Sequence, residues 1–404
     1  MISNRMVLRE DYLKILRSGK DVTHTVKIIT GMRRSGKSTL MTQFMDELKS
    51  SGVDPDRIFY FDLESKVHED IKDFKDMNAL IASNVKIDGR VYIFLDEIQK
   101  VTGWERTVNS LMVDYDADIY ITGSNAYLLS SELATYMSGR YIEIRMLPLS
   151  FKEYLELHPY SLEKSRDARF LEYMRFGALP IIDPDNYDEN FINGQIEGVY
   201  NTIIVKDVQS RLKPKDIADL EAVSAYLCSN VGNLTNTLNI SKYSGITSTT
   251  VKSYINALEE AYLFYKVRRF DVVGKRILKS TEKYYAADTG IRNVILNSGN
   301  KDLWKLLENV VFLELIRRGY KVVVGSYRDL EVDFTARKWE KVEYFQVTES
   351  LRTASPETKE REARALKAMR DNYPKTILSM DVIRESPGEG IRHLNVIDWL
   401  LGKE

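Results

Sequence analysis

The stretch GMRRSGKST, residues 31–39, constrains this chain more than any other. Gly31, Gly36, Lys37 and Ser38 meet the spacing G-x-x-x-x-G-K-[ST], in which a glycine-rich turn closes its backbone N–H groups round a phosphate. The flanks agree with that reading. VKIIT before the turn reads as a buried strand and STLMTQFMDELKS after it as an amphipathic helix, an order that aims a helix N-terminus at an anion. Met32, Arg33, Arg34, Ser35 and Thr39 complete the expected nucleotide contacts. Lys37 would meet the β- and γ-phosphates, and the Ser38 hydroxyl would be one ligand of Mg²⁺. Arg33 and Arg34 add positive charge close to the phosphates and face either a partner or solvent.

A metal ion held on a triphosphate also needs an acid at the end of a neighbouring buried strand. VYIFLDE provides it: apolar and aromatic residues lead into Asp96, expected to bind Mg²⁺ through water, and Glu97 beside it is placed to orient or deprotonate the attacking water. The strand-like RIFYFDL lies between the loop and this segment. The inserted strand and the adjacent glutamate together resemble the additional-strand catalytic-glutamate division of P-loop ATPases, and argue against GTPases and nucleotide kinases. That resemblance implies that DIYITGSN inserts beside the strand leading into the loop, with Ser124 or Asn125 at its tip sensing the γ-phosphate. Polar residues at a strand end also form ordinary turns. Arg140, in MSGRYIEIRMLPLS, stands just before the last core strand, where a guanidinium would reach a phosphate of its own or of a neighbouring subunit's nucleotide. An exposed or salt-bridged arginine is the plainer reading.

A chain of 404 residues exceeds what one hydrophobic core usually serves, so two to four domains are expected. From about residue 25 to 146 strand-like runs alternate with helical patterns, the last of them AYLLSSELATYM before YIEIRML, which argues for an α/β domain with a parallel sheet and helices on both faces. The expected division is 1–150 for this P-loop core, 151–228 for a helical lid, 229–290 for a winged helix-turn-helix and 291–404 for a further α/β unit. Lys and Arg total 58 against 59 for Asp and Glu, so any nucleic-acid contact must come from a local basic patch. The one cysteine, Cys228, permits neither an internal disulfide nor a cysteine metal cluster, which fits a reducing, cytoplasmic setting. MISNRMVLREDYLK lacks an apolar signal-peptide core, and no run approaches the ~18 apolar residues of a membrane span, so no membrane role is expected. The charged ETKEREARALKAMRD reads as a solvated helix face.

TNTLNISKYSGITSTTVKSYINALEE reads as two helices meeting at Gly245, the second turning Val251, Ile255 and Leu258 inward and Ser248, Thr249, Lys252, Ser253 and Asn256 outward. A β-wing is expected to follow, with Lys266, Arg268, Arg269, Lys275, Arg276 and Lys279 opposed only by Asp271 between 264 and 280. Lys252, Lys266, Arg268, Arg269, Lys275 and Arg276 are the expected DNA contacts, although the same fold also serves packing or protein binding. Further on, Glu308 on a helix and Asp333 in EVDF have the residue types of a restriction-type nuclease centre, which gathers carboxylates and a lysine round Mg²⁺. The third element, Glu-x-Lys, reads here as Gln346-Val347-Thr348, so this part is expected to be nuclease-shaped and inactive.

Taken in order, the arginine-containing P-loop, FLDEIQ, ITGSNAYLLSSELA, SGRYIEIRMLPLSFKEY, FGALP, TIIVKDV, LLENVVFLEL and EVDF give a chain that resembles the AAA+-type ATPases of the archaeal-ATPase group. In those proteins a P-loop domain precedes a winged helix and a C-terminal domain related to restriction endonucleases. The resemblance covers most of the chain. It implies ATP and Mg²⁺ at the loop, action on or near DNA, and a homo-oligomer, a ring being one form. A nucleotide-gated signalling switch that binds a protein partner and turns over slowly is the alternative from another class.

Overall fold

The computed structural model describes residues 6–126, 139–209, 212, 217–298, 300–383, 387–388 and 390–403. They fall into two units, Met1–Pro148 with Glu260–Tyr262, and Leu149–Glu259 with Leu263–Glu404.

In the first unit β1 (Val26–Thr30), β2 (Ile58–Asp62), β3 (Val91–Asp96), β4 (Ala117–Gly123) and β5 (Tyr141–Arg145) form one sheet in the order β2-β3-β4-β1-β5. Every pairing in it is parallel. The three central strands, β1, β3 and β4, are buried along their whole length between helices on both faces, and two charges within them, Lys27 on β1 and Asp118 on β4, pair with each other. Helices α1 (Glu10–Ser18) and α2 (Lys37–Ser50) pack Leu13, Leu16, Leu40 and Phe44 with Ile29 on one face. On the other, α3 (Phe74–Asn84) and α4 (Trp104–Asp114) pack Met77, Ile81, Val108 and Leu111 with Val26 and Ile28. β4 is inserted between β1 and β3, so the residues following β1, β3 and β4 emerge side by side at one edge of the sheet. Residues 127–137 of the helix expected from AYLLSSELATYM lie outside the described residues.

The second unit begins with α5 (Phe151–Leu157), α6 (Arg166–Phe176), α7 (Glu189–Ile203) and α8 (Ile217–Ser229). Then α9 (Thr237–Ser244) and α10 (Ser248–Glu260) meet at Gly245, whose φ of +73° is the left-handed cap that ends a helix sharply. Val251, Ile255 and Leu258 are buried, while Lys252, Ser253 and Asn256 are exposed. After these come β6 (Phe264–Asp271), β7 (Arg276–Ala286), α11 (Thr289–Ile295), α12 (Leu307–Arg317), β8 (Lys321–Tyr327), β9 (Leu330–Lys338), β10 (Lys341–Val347), α13 (Pro356–Ala368), β11 (Lys375–Ser379) and β12 (Ile391–Asn395).

These strands correct the expected boundary at 290. The hairpin β6–β7 is not a free-standing wing: β6 pairs in parallel with β8, giving one seven-stranded sheet in the order β12-β11-β10-β9-β8-β6-β7. A hairpin alone is marginal in water, and the open edge of β6 finds its backbone partners on β8. The charged helix α13 is also more than a solvated face, since Ala363, Ala365 and Leu366 enter a core with Val332, Tyr344 and Ile377.

Candidate nucleotide site

Two glycines shape the loop that leaves β1. Gly31 has φ +145°, and a Cβ there would stand 2.2 Å from the Met146 carbonyl oxygen, so any side chain would collide with the chain leaving β5. Gly36 has φ +100° and precedes α2, whose first turn carries no side-chain cap. Uncapped N–H groups at a helix start are the groups an anion satisfies. Lys37 is 4% exposed and donates from Nζ to the carbonyls of Gly31 (3.1 Å) and Met32 (3.2 Å), which folds the ammonium over the loop. Ser38 is exposed at the helix start, and Thr39 follows half-buried. Arg33 turns toward Glu64 at 3.6 Å, whereas Arg34 is exposed with φ +64°.

Asp96 and Glu97 arrive at the same edge from β3, both buried. Asp96 accepts from two hydroxyls: Thr122, on β4, at Oδ1, and Tyr60, on β2, at Oδ2 (2.7 Å). Burial first, and then the bond to Asp96, push the Tyr60 hydroxyl far above its ordinary range, so it remains a donor. Glu97 sits at φ +54°, a strained value for a residue with a side chain, and its amide donates to Thr122 Oγ1 (2.9 Å). Thr122 thus ties both acids to β4. Gln99 donates from Nε2 to Glu97 Oε2 and to Ser124 Oγ (3.2 Å), and Lys37 Nζ stands 3.8 Å from Glu97 Oε1. Lys37, Asp96, Glu97, Ser124 and Asn125 therefore lie at one edge of the sheet, where Ser124 and Asn125 are both buried. The donor set round the loop, a serine hydroxyl and carboxylates, is all oxygen, which fits a hard cation such as Mg²⁺.

Arg140 is not brought to this edge. Its carbonyl accepts from Val26, the first residue of β1, and its guanidinium stands 3.4 Å from Asn109 on α4. The length of β1, five residues at about 3.3 Å each, separates it from the loop, so it cannot reach a phosphate held in its own chain. The arginine at the loop end of β5 is Arg145, paired in register with Thr30 and bonded to Glu143 (3.2 Å).

Thr122, Tyr60 and Gln99 were not found by sequence reasoning: Thr122 and Tyr60 reach Asp96, and Gln99 reaches Ser124, across strands whose order the sequence does not state. The one local signal was polar spacing: Thr122 stands two residues before Ser124 and turns to the same side of the strand.

In the second unit the expected nuclease residues do meet. Glu308, on α12, and the buried Asp333, on β9, share a cluster with Glu331, which sequence reasoning missed although it lies two residues before Asp333 on the same strand face. The ammonium absent from position 348 is supplied from elsewhere. Lys283, on β7 and 4% exposed, reaches Glu308 Oε1 (2.9 Å), Glu331 Oε1 (3.0 Å) and Asp333 Oδ1 (3.7 Å). Tyr285 adds a bond to Glu308 Oε1 (2.5 Å). Burial alone would lower the Lys283 ammonium, but the three acids outweigh it and hold it charged. Burial, and then Glu308, push the Asp333 carboxyl well above its usual range. Gln346 turns its amide to Glu362 Oε2 (2.9 Å) and its carbonyl to the Asp333 amide (3.3 Å).

The basic stripe is divided. Lys252, Arg268 and Lys275 are exposed. Lys266 pairs with Glu259 (3.1 Å), Arg276 with Asp271 (3.8 Å), and Arg269 lies near Glu331 (4.0 Å). The side chain of Lys279 lies outside the described residues. Elsewhere in this unit His158, Asp183 and Asp185 bring metal-ligating types together, but Arg169 (2.8 Å) and Lys164 (3.0 Å) already occupy Asp185, which makes the group an ion-pair network.

A five-stranded parallel sheet in this order, with a G-x-x-x-x-G-K-S turn after β1 and a buried Asp-Glu pair after β3, defines a P-loop nucleoside-triphosphatase fold. Residues 23–155 match the model of an AAA domain, and residues 167–302 match a domain of unknown function. An uncharacterized protein of Haemophilus influenzae is 38% identical, covering 99% of this chain and 100% of its own length, and this chain belongs to its family. An uncharacterized protein of Methanocaldococcus jannaschii is 29% identical over 87% of this chain and 80% of its own. Among solved structures, the replication initiator DnaA bound to AMPPCP and single-stranded DNA aligns with a TM-score of 0.32 at 18% identity, covering 63% of this chain and 89% of that one. A signal-transduction ATPase with a tetratricopeptide-repeat sensor from Pyrococcus horikoshii aligns with a TM-score of 0.28 at 13% identity, covering 78% and 46%. No helix among the described residues is long and apolar enough to cross a membrane.

Proposed function

We propose that the chain is a Mg²⁺-dependent ATPase that couples nucleotide hydrolysis to the binding or remodelling of DNA by an oligomer. The observation that carries the ATPase part is the meeting of Lys37, Asp96, Glu97 and Ser124 at one edge of a parallel sheet. The loop amides and Lys37 hold the β- and γ-phosphates. Ser38 and Asp96 would hold Mg²⁺, which supplies charge neutralisation on the phosphate oxygens. Glu97 takes a proton from the water that attacks the γ-phosphorus; the bond to the bridging oxygen breaks, leaving ADP and inorganic phosphate. Ser124 or Asn125 contacts the γ-phosphate. Arg140 serves only a neighbouring copy's nucleotide, being at the far edge of its own sheet.

The DNA part rests on the helix pair α9–α10 and the exposed Lys252, Arg268 and Lys275. One observation favours the second reading, a nucleotide-gated switch for a protein partner: Lys266 and Arg276 are each paired with an acid of this same unit. Phosphate release measured with and without duplex, forked and single-stranded DNA separates the two. DNA-stimulated turnover, with retention that falls steeply as salt rises, supports the first. An unaltered rate with no DNA held at low salt leaves the switch. Particle mass with and without ATP tests the oligomer.

A further inference from the structure

We propose that Arg9 is a positioning residue for the nucleotide loop: it grips the Ser35 carbonyl from behind and so aims the Gly36 amide at the phosphate. This rests on the nucleotide reading above. Arg9 precedes α1 and is 3% exposed, and its guanidinium donates to backbone carbonyls on two separate segments. Nη1 donates to Ser35 O (3.0 Å), inside the loop, and Nη2 donates to Leu147 O (2.8 Å) and Pro148 O (3.5 Å), just beyond β5.

A trans peptide is planar, with its carbonyl and its N–H pointing opposite ways. A donor fixed on the Ser35 oxygen therefore turns the Gly36 N–H to the other side of the loop, the side on which an anion is cradled. The Ser35 side chain does not do this work, since its hydroxyl is buried with no hydrogen-bond partner among the described residues. Gly36, at φ +100°, leaves the peptide free to rotate unless something outside the loop holds it.

The clasp is built on several contacts. The Arg9 amide donates to Gln43 Oε1 (3.3 Å) on α2, Gln43 Nε2 donates to the Val7 carbonyl (2.7 Å), and the Tyr12 hydroxyl accepts from the Leu147 amide (3.0 Å). The guanidinium also lies over the Tyr12 ring, 5.0 Å from its centre. Only a planar fork reaches the loop and the chain beyond β5 at once from separate nitrogens; a lysine ammonium is a single point of charge.

The test uses the full chain carrying Arg9→Lys, with Arg9→Ala beside it. ATP affinity is read by calorimetry with Mg²⁺, KM and kcat by phosphate release, and the nucleotide-free melting temperature by circular dichroism. The Lys variant decides, because it keeps the charge and fills the buried space. Its Kd and KM for ATP are expected to rise about tenfold while kcat at saturating ATP changes less than about threefold, with a larger loss of affinity in the Ala variant. A purely structural role would lower the melting temperature and leave the affinity of the folded protein alone. A folded Lys variant with Kd within about twofold of the parent, or with kcat reduced at unchanged KM, overturns the inference. A parent chain that takes up no ATP instead sinks the nucleotide reading itself.

Discussion

Each unit of this chain buries a lysine among acids, and the two arrangements differ in what they leave undone. In the first, Lys37 spends its donors on loop carbonyls and stands 3.8 Å from Glu97, while both oxygens of Asp96 are held by the neutral hydroxyls of Thr122 and Tyr60. In the second, Lys283 meets Glu308 and Glu331 directly at 2.9 and 3.0 Å and approaches Asp333 at 3.7 Å. A lysine at the heart of an acidic cluster neutralises it from within, and the cluster becomes part of the fold. In the first unit the lysine instead divides its donors between loop carbonyls and Glu97, and neutral hydroxyls hold Asp96 at the edge where the glycine-rich turn emerges. The same residue types are therefore drawn into a closed ion cluster in one sheet and spread along a sheet edge in the other.

Four substitutions break or sharpen this contrast, the largest effect first. Glu97→Gln keeps the shape of the first cluster and removes its base, so ATP turnover is expected to fall by about two to four orders of magnitude while affinity by calorimetry stays near that of the parent. An unchanged rate would take Glu97 out of the chemistry. In the second cluster the damage should be to folding. Lys283→Met strands the buried Asp333 and leaves the half-buried Glu308 and Glu331 without their cation, at a cost of about 3–5 kcal/mol seen in denaturant unfolding, and leaves ATP affinity unchanged. Lost affinity with unimpaired stability would reverse the assignment of the two lysines.

Thr122→Val is subtler. It removes the bond to Asp96 and the acceptor for the Glu97 amide while keeping the volume, and turnover should drop about tenfold, partly recovered by raised Mg²⁺. The smallest effect concerns the ion-pair network of the second unit. Burial would raise the Asp185 carboxyl, but the bonds from Arg169, Lys164 and His158 outweigh it and hold the group at about 2, below its ordinary 3.8. A carboxyl depressed by folding stabilises the folded state above its unfolded value, and that contribution is lost as pH falls from 3.8 through about 2. Asp185→Asn should flatten this part of the acid unfolding curve; an identical acid limb in parent and variant would show that the network carries no pH-dependent stability.

The P-loop was legible because its chemistry is local. Gly31, Gly36, Lys37 and Ser38 act within one turn between one strand and one helix, and period and spacing report such neighbours. Asp96 and Glu97 were legible for a related reason, as acids at the end of an unbroken apolar run. Arg140 shows the limit. Its place next to a strand was readable, but which end of the sheet it occupies follows from strand direction and register, and Val26 pairs with its carbonyl at the edge away from the loop. Lys283 shows it again: the pattern looked for an ammonium on one strand, and the fold delivered it from another.

The sequence by itself determined the glycine-rich turn after β1, the acids at the end of β3 and the α/β class, because each depends on contacts within a few residues along the chain. Only the tertiary structure decided which polar groups hold those acids, that Arg140 stands away from the loop in its own chain, that the hairpin Phe264–Ala286 extends a seven-stranded sheet, and that Lys283 fills the acidic cluster of the second unit. The physical reason is common to all four. Hydrogen bonds and ion pairs between strands are set by sheet order and register, and those are chosen by how the whole core packs, which no local stretch of residues records.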